Sequence, residues 1–452
     1  MAMSTAIRPV RTQAELGLAD VYATARQGLP GGSDIAVARA TAFNHFMLAG
    51  LPNGRVEAWK YTDLRRLMRD AKPLAAPPNA IAKEKARDAG GLLSGLGFRR
   101  LVIVDGTFVE ELSDLIGLEP GLTVRSMAEA LAQDEPMLSQ GLGPMVPADD
   151  SALALNTALA GDGVVITVSS DVAVGRPIHL VFVNTGSVPA AMVTRSLVVV
   201  GKGARATFIE THEGRGQADY QVNTALQLVV GDEATVDHIK VTSENKGAIH
   251  IGTLLAHVGA RAKFNEWGFT TGGAVVRNQM FVLLSGEGTV ANLRGLSLLA
   301  DRQHADATLT VEHAAPDCQS REVFKAVVDD EARAVFQGKI TVRQQAQKTD
   351  AKMMTRALLL SDDAEADGKP ELEIFADDVQ CGHGATTGNL DDQLKFYLMA
   401  RGIPEKQAEA LLIQAFAAEV VEAIEHEGAR EALMEAIVGW LRQRGSDGCI
   451  RR

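Results

Sequence analysis

The middle of the chain alternates short runs of β-branched residues with turn residues. From about Gly161, runs such as residues 164–168, 178–183 and 196–200 are separated by Gly, Asp and Asn, which is typical of short strands. A helical period of apolar residues does not return until about residue 390. So long a series of strands without crossover helices excludes a doubly wound α/β sheet and predicts a mainly β fold.

A weak internal repeat runs through this region: an apolar run, a Gly or Asp turn, a small residue and another apolar strand. The small residues Ala204, Ala234, Ala262 and Thr289 follow one another at spacings of 30, 28 and 27 residues. Repeats of this size predict a β-solenoid, in which each coil buries its inward side chains against the next. A β-sandwich is the main alternative, and a propeller fits less well because its blades recur at about 40 to 50 residues.

The region before the strands predicts a helical and mixed N-terminal domain over residues 1–150. Ser33-Asp34 offers an N-cap for one helix and Gly50 offers its stop. Residues 72–91, with their Pro, Ala and charged residues, predict a linker. The pair Asp105-Gly106 between two apolar runs predicts a β-hairpin, because this pair takes the positive φ angles of a tight turn.

After the strands the apolar period becomes helical again. Gly402 interrupts it, Pro404 suits the first turn of a second helix, and a third helical pattern ends at Gly445. We predict a solenoid core over residues 151–388 and a C-terminal helical domain over residues 389–452. Two interpretations of the helical domain stay open: a small bundle that caps the solenoid, or a docking handle for a partner.

Composition restricts the function classes. The net charge of −12, without a basic run, argues against a nucleic-acid partner. No stretch approaches the roughly 18 to 20 apolar residues of a membrane span, and the first forty residues lack a secretory signal, so we expect a cytoplasmic protein. The phosphate-binding motif G-x-x-x-x-G-K-[ST] does not occur, so ATP hydrolysis is not expected to be intrinsic.

Candidate metal chemistry centres on Cys381 and His383. They stand two positions apart in a predicted strand, so their side chains should project from the same face. Thiolate and imidazole are ligands suited to iron or zinc, but two are too few for a site that usually takes about four protein ligands. Metal chemistry here would need ligands from another chain, and a pair of inert core or surface residues is the alternative.

Other residues of these types carry weaker signals. Cys318 is expected to be a buried structural thiol and Cys449 to be incidental; three cysteines form a poor disulfide framework and fit a reducing compartment. Six further histidines lack tight ligand spacing, so we expect exposed or hydrogen-bonded wall residues rather than a metal site. They are His212, His238, His250, His257, His304 and His313.

Long segments of the chain resemble the SufB/SufD family, the scaffold subunits of the SUF iron–sulfur cluster assembly machinery. The resemblance is strongest from His313 onwards, through the segments HAAPDCQSREVFKAVVDDEARAVFQGKITV and EIFADDVQCGHGATTGNLDDQLKFYLMARGI, and EAWKYTDL near the N-terminus is similar to the family's aromatic signature. Gly382 and Gly384 around His383, together with only three cysteines, favour the SufD branch over the SufB branch.

The resemblance implies a right-handed parallel β-helix flanked by N-terminal and C-terminal α-helical domains. It implies a non-catalytic scaffold that pairs with a SufB-like subunit through the β-helix and holds a SufC-like ATPase on its C-terminal helices. A transient iron–sulfur cluster would be built at the shared seam, where His383 matches the family's cluster-linked histidine and Cys381 its neighbouring cysteine. ATP would act only through the partner, and flavin binding and a homodimer of the isolated chain stay open.

Three alternatives to this function remain. One is a SufB-like cluster scaffold. A second is a carbohydrate-active β-helix enzyme, against which the absent secretion signal and the lack of an aromatic sugar platform weigh. The third is a structural interaction module with an inert Cys381/His383 pair.

Overall fold

The computed structural model describes residues 10–133 and 150–447. The strands are β1 (Arg99–Val104), β2 (Thr107–Phe108), β3 (Leu122–Ser126), β4 (Val164–Val168), β5 (Ile178–Asn184), β6 (Ala190–Val200), β7 (Arg205–Gly214), β8 (Tyr220–Val230), β9 (Thr235–Ser243), β10 (Ile249–Val258), β11 (Lys263–Thr270), β12 (Val275–Leu284), β13 (Val290–Leu299), β14 (His304–His313), β15 (Gln319–Val328), β16 (Arg333–Val342), β17 (Asp350–Leu359), β18 (Glu365–Ile374) and β19 (Gln380–Gly388). The helices are α1 (Gln13–Ala25), α2 (Ser33–Ala49), α3 (Leu64–Leu67), α4 (Ala80–Ala86), α5 (Met127–Ala132), α6 (Ser151–Leu159), α7 (Asp392–Met399), α8 (Glu405–Val421) and α9 (Glu427–Asp447).

The strands form a parallel β-solenoid of two facing sheets. Within the described ranges, a ten-stranded sheet has the order β19-β17-β15-β13-β11-β9-β7-β5-β1-β2, and a nine-stranded sheet has the order β18-β16-β14-β12-β10-β8-β6-β4-β3. From β4 onwards successive strands alternate between the sheets, so two strands and their turns make one coil. The predicted mainly β solenoid with helical regions on both sides is therefore confirmed.

The predicted repeat occupies equivalent places in successive coils. Ala204, Ala234, Ala262 and Thr289 are all fully buried, and the carbonyl of each accepts a backbone hydrogen bond of 2.8 to 2.9 Å from the coil that follows. Cys318 takes the next place in this column, one position before the residue that bonds to Thr289. Small side chains are needed here because the turns of adjacent coils stack closely.

The first strands close one end of the solenoid. The predicted hairpin is confirmed as β1 and β2, with Asp105 at φ 49° and Gly106 at φ 82° in the turn. β2 and β3 are the last strands of the two sheets at this end, and each is antiparallel to its neighbour. The boundaries at residues 150 and 388 stay predictions, but the two sheets include three strands from before residue 150.

Two details of the N-terminal region differ from the prediction. The N-cap of α2 is Gly32, one residue before the predicted pair, whereas Gly50 ends the helix at φ 77° as predicted. The predicted linker contains α4, because the Asn79 side chain accepts a hydrogen bond of 3.0 Å from the amide of Ala82 and caps a short helix there.

The N-terminal helices and the aromatic segment pack on the outer face of the nine-stranded sheet. The Trp59 ring is buried, and the guanidinium carbon of Arg277 on β12 lies 3.8 Å from its centroid. Arg277 also donates to the carbonyl of Ala58 at 2.8 Å and to the carboxylate of Asp306 at 2.5 Å. This aromatic segment is thus fixed to the solenoid itself.

The C-terminal helices lie against the outer face of the ten-stranded sheet. Ile413 and Ala417 of α8 join an apolar cluster with Leu296 and Val327 of the sheet, and the buried Lys325 donates to the carbonyl of Phe416 at 2.8 Å. The second of the three helices follows Pro404 as predicted, and the third continues to Asp447, two residues beyond its predicted end. None of the helices in the described ranges is long and apolar enough to cross a membrane.

Candidate functional site

The end of the solenoid opposite β2 and β3 is formed by β18 and β19. Each is the last strand of its sheet and pairs in parallel with one neighbour, β16 or β17. The other edge of each strand has no strand partner in the described part of the chain. Side chains on both strands are exposed or half-buried. The fold therefore leaves two neighbouring strand edges open to another molecule.

Cys381 and His383 lie on the inner face of β19, the face toward the space between the sheets, here called the lumen. Their register partners on β17 are Ala351 and Met353, which are buried in the lumen core. Cys381 is half-buried and packs against that core, whereas His383 is exposed. The structure thus places the predicted pair on one face, at the rim of the open end.

The environment of Cys381 favours the neutral thiol. Burial raises the pKa of the Cys381 thiol above its ordinary value, and the carboxyl groups of Asp350 and Glu322 act in the same direction. The thiol is therefore protonated at neutral pH. It becomes a good ligand when a metal ion displaces the proton.

The two glycines that flank His383 differ in their surroundings. A Cβ atom at Gly384 would lie 2.7 Å from the terminal methyl of Met354, so a side chain there would have to displace the end of that methionine. A Cβ atom at Gly382 would meet nothing within 4 Å. No atom of the described chain therefore covers the outer face of the backbone at Gly382, between the two candidate ligands.

A column of ionisable side chains leads through the lumen toward β19. Glu322 is completely buried, burial raises its pKa to about 8, and neither carboxyl oxygen has a hydrogen-bond partner in the parts of the chain that are described. It is therefore protonated at neutral pH. The column consists of successive register partners, of which four are ionisable: Phe208, His238, Glu266, Leu293, Glu322, Met353 and His383.

The prediction that the six further histidines are exposed or hydrogen-bonded is met through hydrogen bonds, but it did not include their burial. All six are hydrogen-bonded, with Glu210, Glu266, Glu244, Ser285, Thr62 and Ser320 as partners in chain order. Four of them, His212, His238, His250 and His313, are fully buried. The sequence analysis did not predict their burial, because inward positions of a strand usually carry apolar residues. The alternation of Glu210 with His212 along one strand was the pattern that indicated a polar inner face.

Cys318 lies away from this site, in the column of small buried residues. Cys318 is buried, as predicted for a structural thiol, and burial raises the pKa of its thiol. Its sulfur donates to the carbonyl of Gly286 at 3.2 Å. Cys449 lies outside the described residues.

A second exposed feature is the short helix α7. Its apolar side chains are turned to solvent, with Phe396 72% exposed. Apolar groups clustered in this way are typical of a surface that another protein covers. They are Leu394, Phe396, Tyr397 and Met399.

Two family models together match most of the chain. Residues 13–180 match the SufBD protein N-terminal region, and residues 182–416 match the SufBD core domain of SUF system FeS cluster assembly. The core match begins within β5 and includes β19.

Individual proteins are similar over 63 to 86% of the chain. The chain is 34% identical over 391 residues to the iron–sulfur cluster assembly protein SufD of Escherichia coli, covering 86% of this chain and 89% of that protein. It is 31% identical over 383 residues to a SufBD family protein of Synechocystis, covering 83% and 84%. It is 28% identical over 287 residues to SufD of Bacillus subtilis, covering 63% and 65%.

Proposed function

Because this chain belongs to the SufBD family, whose role is SUF iron–sulfur cluster assembly, we propose that it acts as a non-catalytic scaffold subunit. Its cargo is a nascent cluster that forms where β19 meets a second, SufB-like β-helix. Cys381 and His383 contribute ligands from this side of the seam, and the partner subunit contributes the rest.

One observation carries this proposal: a thiol and an imidazole stand side by side on an unpaired strand edge. Two protein ligands leave an iron–sulfur cluster incompletely held. An open edge of parallel strands is also the place where a second β-helix adds its own strand through backbone hydrogen bonds. The incomplete ligand set and the incomplete sheet occur at the same residues, so one partner would complete both.

Gly382 fits the same arrangement. Since a side chain there would find free space within this chain, packing of the chain itself gives no reason for glycine. Close approach of a partner backbone does give one.

The C-terminal helices are proposed to hold a SufC-like ATPase. The exposed apolar side chains of α7 provide a surface for it, and Lys325 anchors α8 to the sheet through Phe416 and Glu419. A movement of the C-terminal helices would thus be transmitted to β15 through Lys325. ATP acts in this proposal only through that partner, and neither flavin nor a resident cofactor is assigned to this chain.

The test is anaerobic co-purification of the tagged chain from its own host, with subunits identified by mass and with iron and labile sulfide quantified. We expect an ATPase and a second β-helix subunit to be recovered with the wild type. For His383→Ala we expect the same subunits but a loss of most of the iron and sulfide. His257→Ala is the matched control, because His257 is also partly exposed on a strand but lies far from β19, and it should retain the cluster.

Other outcomes favour the alternatives. Recovery of the partners with full iron in His383→Ala would make the Cys381/His383 pair inert and leave a structural interaction module. A chain recovered alone, as monomer or homodimer, that cleaves polyuronates would favour the carbohydrate-active enzyme. Labile cluster held by the isolated chain would favour a SufB-like scaffold.

A further inference from the structure

A second group of metal-ligating side chains lies inside the solenoid, away from β19. His212 is on β7, Glu244 follows β9, and His250 is on β10. All three are buried, with His250 fully inaccessible. One donor atom from each residue can be chosen so that the three lie within 4.8 Å of one another.

The hydrogen bonds of this group are incomplete. Nδ1 of His250 lies 3.0 Å from Oε1 of Glu244, and the Tyr220 hydroxyl donates to Oε2 of Glu244 at 2.5 Å. Over the ranges that the structure describes, Nδ1 of His212 and Nε2 of His250 have no hydrogen-bond partner. Buried ring nitrogens without partners are uncommon in folded proteins, because their desolvation is not offset. A bound ion with its own water ligands would supply the missing partners.

Space for an ion is present next to these side chains. A small cavity of about 20 Å³ is lined by His212, Tyr220 and Glu244, together with apolar residues such as Phe182 and Met192. The Phe182 ring stacks on the His212 ring at a centroid distance of 4.4 Å, and the rings of His212 and His250 meet edge to face at 4.7 Å. The two imidazoles are therefore held in place by packing before any ion arrives.

The charge around the group favours a cation. Within about one strand of it, three buried acidic side chains, Glu210, Glu244 and Glu266, face two basic ones, His238 and Lys240. Burial lowers the pKa of Lys240, although the three glutamates oppose this. Burial also disfavours protonated His238, but Glu266 and Glu210 raise its pKa to about 10. An excess of negative charge in a medium of low dielectric constant is offset by a divalent ion.

The protonation states suit coordination. Burial lowers the pKa of His250 to about 3 and also lowers that of His212, so both rings are neutral at physiological pH. Burial opposes ionisation of Glu244, but hydrogen bonding to His250 keeps its pKa below the ordinary value. Neutral imidazoles and a carboxylate are the forms that bind metal ions.

We propose that His212, Glu244 and His250 form a binding site for a divalent first-row transition metal ion such as Fe²⁺ or Zn²⁺. Two histidines and one carboxylate are a donor set for these ions that leaves positions open for water. With metal–ligand bonds of about 2.1 Å, each donor atom would move by less than about 1 Å on binding.

This site cannot share an ion with Cys381 and His383. In the ten-stranded sheet β7 and β19 are separated by five strands, so strand spacings of about 4.8 Å put them about 29 Å apart. The inference goes beyond the proposed scaffold function, and its test does not depend on any partner protein.

The test uses the isolated full chain, stripped with a chelator under anaerobic conditions and titrated with Co²⁺. We expect one Co²⁺ per chain with visible d–d bands, which Zn²⁺ and Fe²⁺ each displace. Glu244→Gln and His250→Gln should each lose this equivalent. The double variant Cys381→Ser/His383→Ala should keep it, and so should His313→Gln, which removes an equally buried histidine outside the group.

Two results would overturn the proposal: no bound Co²⁺ in the wild type, or loss of the equivalent in the Cys381→Ser/His383→Ala variant but not in His250→Gln. If the lumen variants fail to fold, wild-type crystals soaked in Co²⁺ decide the question. Anomalous density between His212, Glu244 and His250 supports the site, and its absence there contradicts it.

Discussion

Glu322 and His383 occupy the same register position of the ten-stranded sheet, with only Met353 of β17 between them. A fully buried carboxyl group on β15 therefore lies two strands away from β19, the strand that carries the candidate ligands. Natural proteins rarely leave such a group without hydrogen bonds, because it lowers the free energy of unfolding whenever it ionises in the unfolded chain. Glu322 therefore lowers the free energy of unfolding at a position near the candidate site.

Replacing Glu322 with Gln should stabilise the protein, and more so at higher pH. Its pKa is raised from 4.5 to about 8 by burial, so between these values the unfolded state releases a proton that the folded state keeps. Stability therefore falls as pH rises from about 4.5 to 8, by about 3 kcal/mol at pH 7. Urea unfolding should show Glu322→Gln to be more stable by about this amount at pH 7 and nearly equal to wild type at pH 4.5.

The control for this substitution is Glu373→Gln, which alters an exposed glutamate on β18 paired with Lys339. Exposed pairs contribute about 0 to 1 kcal/mol, so little change is expected at any pH. A Glu322→Gln variant that is less stable than wild type at pH 8 would show that Glu322 is ionised and satisfied in the fold.

Acid should weaken the fold through its buried histidines. Burial lowers the pKa of His313 to about 4 from 6.5, so the unfolded state takes up a proton that the folded state refuses, and stability is lost as pH falls below about 6.5. At pH 5 this amounts to about 2 kcal/mol. The loss of unfolding free energy between pH 7 and pH 5 should be smaller by about that amount in His313→Gln.

Ser320→Ala separates titration from the loss of a contact. Its hydroxyl lies 2.9 Å from Nε2 of His313, so the variant loses the same hydrogen bond but keeps the imidazole. It should be destabilised by about 1 kcal/mol at pH 7 and retain most of the acid sensitivity. Equal sensitivity in His313→Gln and wild type would contradict the assignment.

A side chain at position 382 should block the partner without harming the chain. Since a Cβ atom there meets nothing within 4 Å, we expect Gly382→Val to keep the melting temperature of wild type within about 2 °C. Recovery of the SufB-like subunit in a pull-down should fall at least tenfold. Gly175→Val, at another open position far from β19, is the control, and normal pull-down by Gly382→Val would argue against a seam at this edge.

Arg277 should be one of the most sensitive positions outside the lumen. Its guanidinium joins Trp59, Ala58 and Asp306, and Arg277→Ala would leave the buried Asp306 carboxylate without its cation. Removing one partner of a buried pair costs about 3 to 5 kcal/mol. Arg302→Ala, which breaks the exposed pair with Glu331, should cost less than about 1 kcal/mol in the same unfolding assay.

The sequence predicts those features that each coil repeats. Ala204, Ala234 and Ala262 indicate the stacking because a tight turn needs a small residue in every coil. The hairpin at Asp105-Gly106 can also be predicted from the sequence, because its turn depends on local backbone preferences alone.

Features that depend on the pairing between coils could not be predicted in the same way. His212 and Glu244 are 32 positions apart, and only the stacking of strands brings them together. A partial signal existed, because His238 and Glu266 are separated by 28 positions, one repeat length, and are in contact. Aligning the successive repeats of the sequence with one another would have indicated a polar lumen. It would not have shown which nitrogen atoms lack hydrogen-bond partners.

The two ends of the solenoid differ. One end is formed by the short antiparallel strands β2 and β3, and the other by the long parallel strands β18 and β19. Identical repeats with two open ends could polymerise end to end, as solenoid sheets in fibres do. In the described part of the chain, β2 and β3 are short and antiparallel to their neighbours, so this end does not present the long parallel edge that β18 and β19 present. If the proposed partner joins through β18 and β19, we therefore expect assembly to stop at two β-helices, with one seam in each complex.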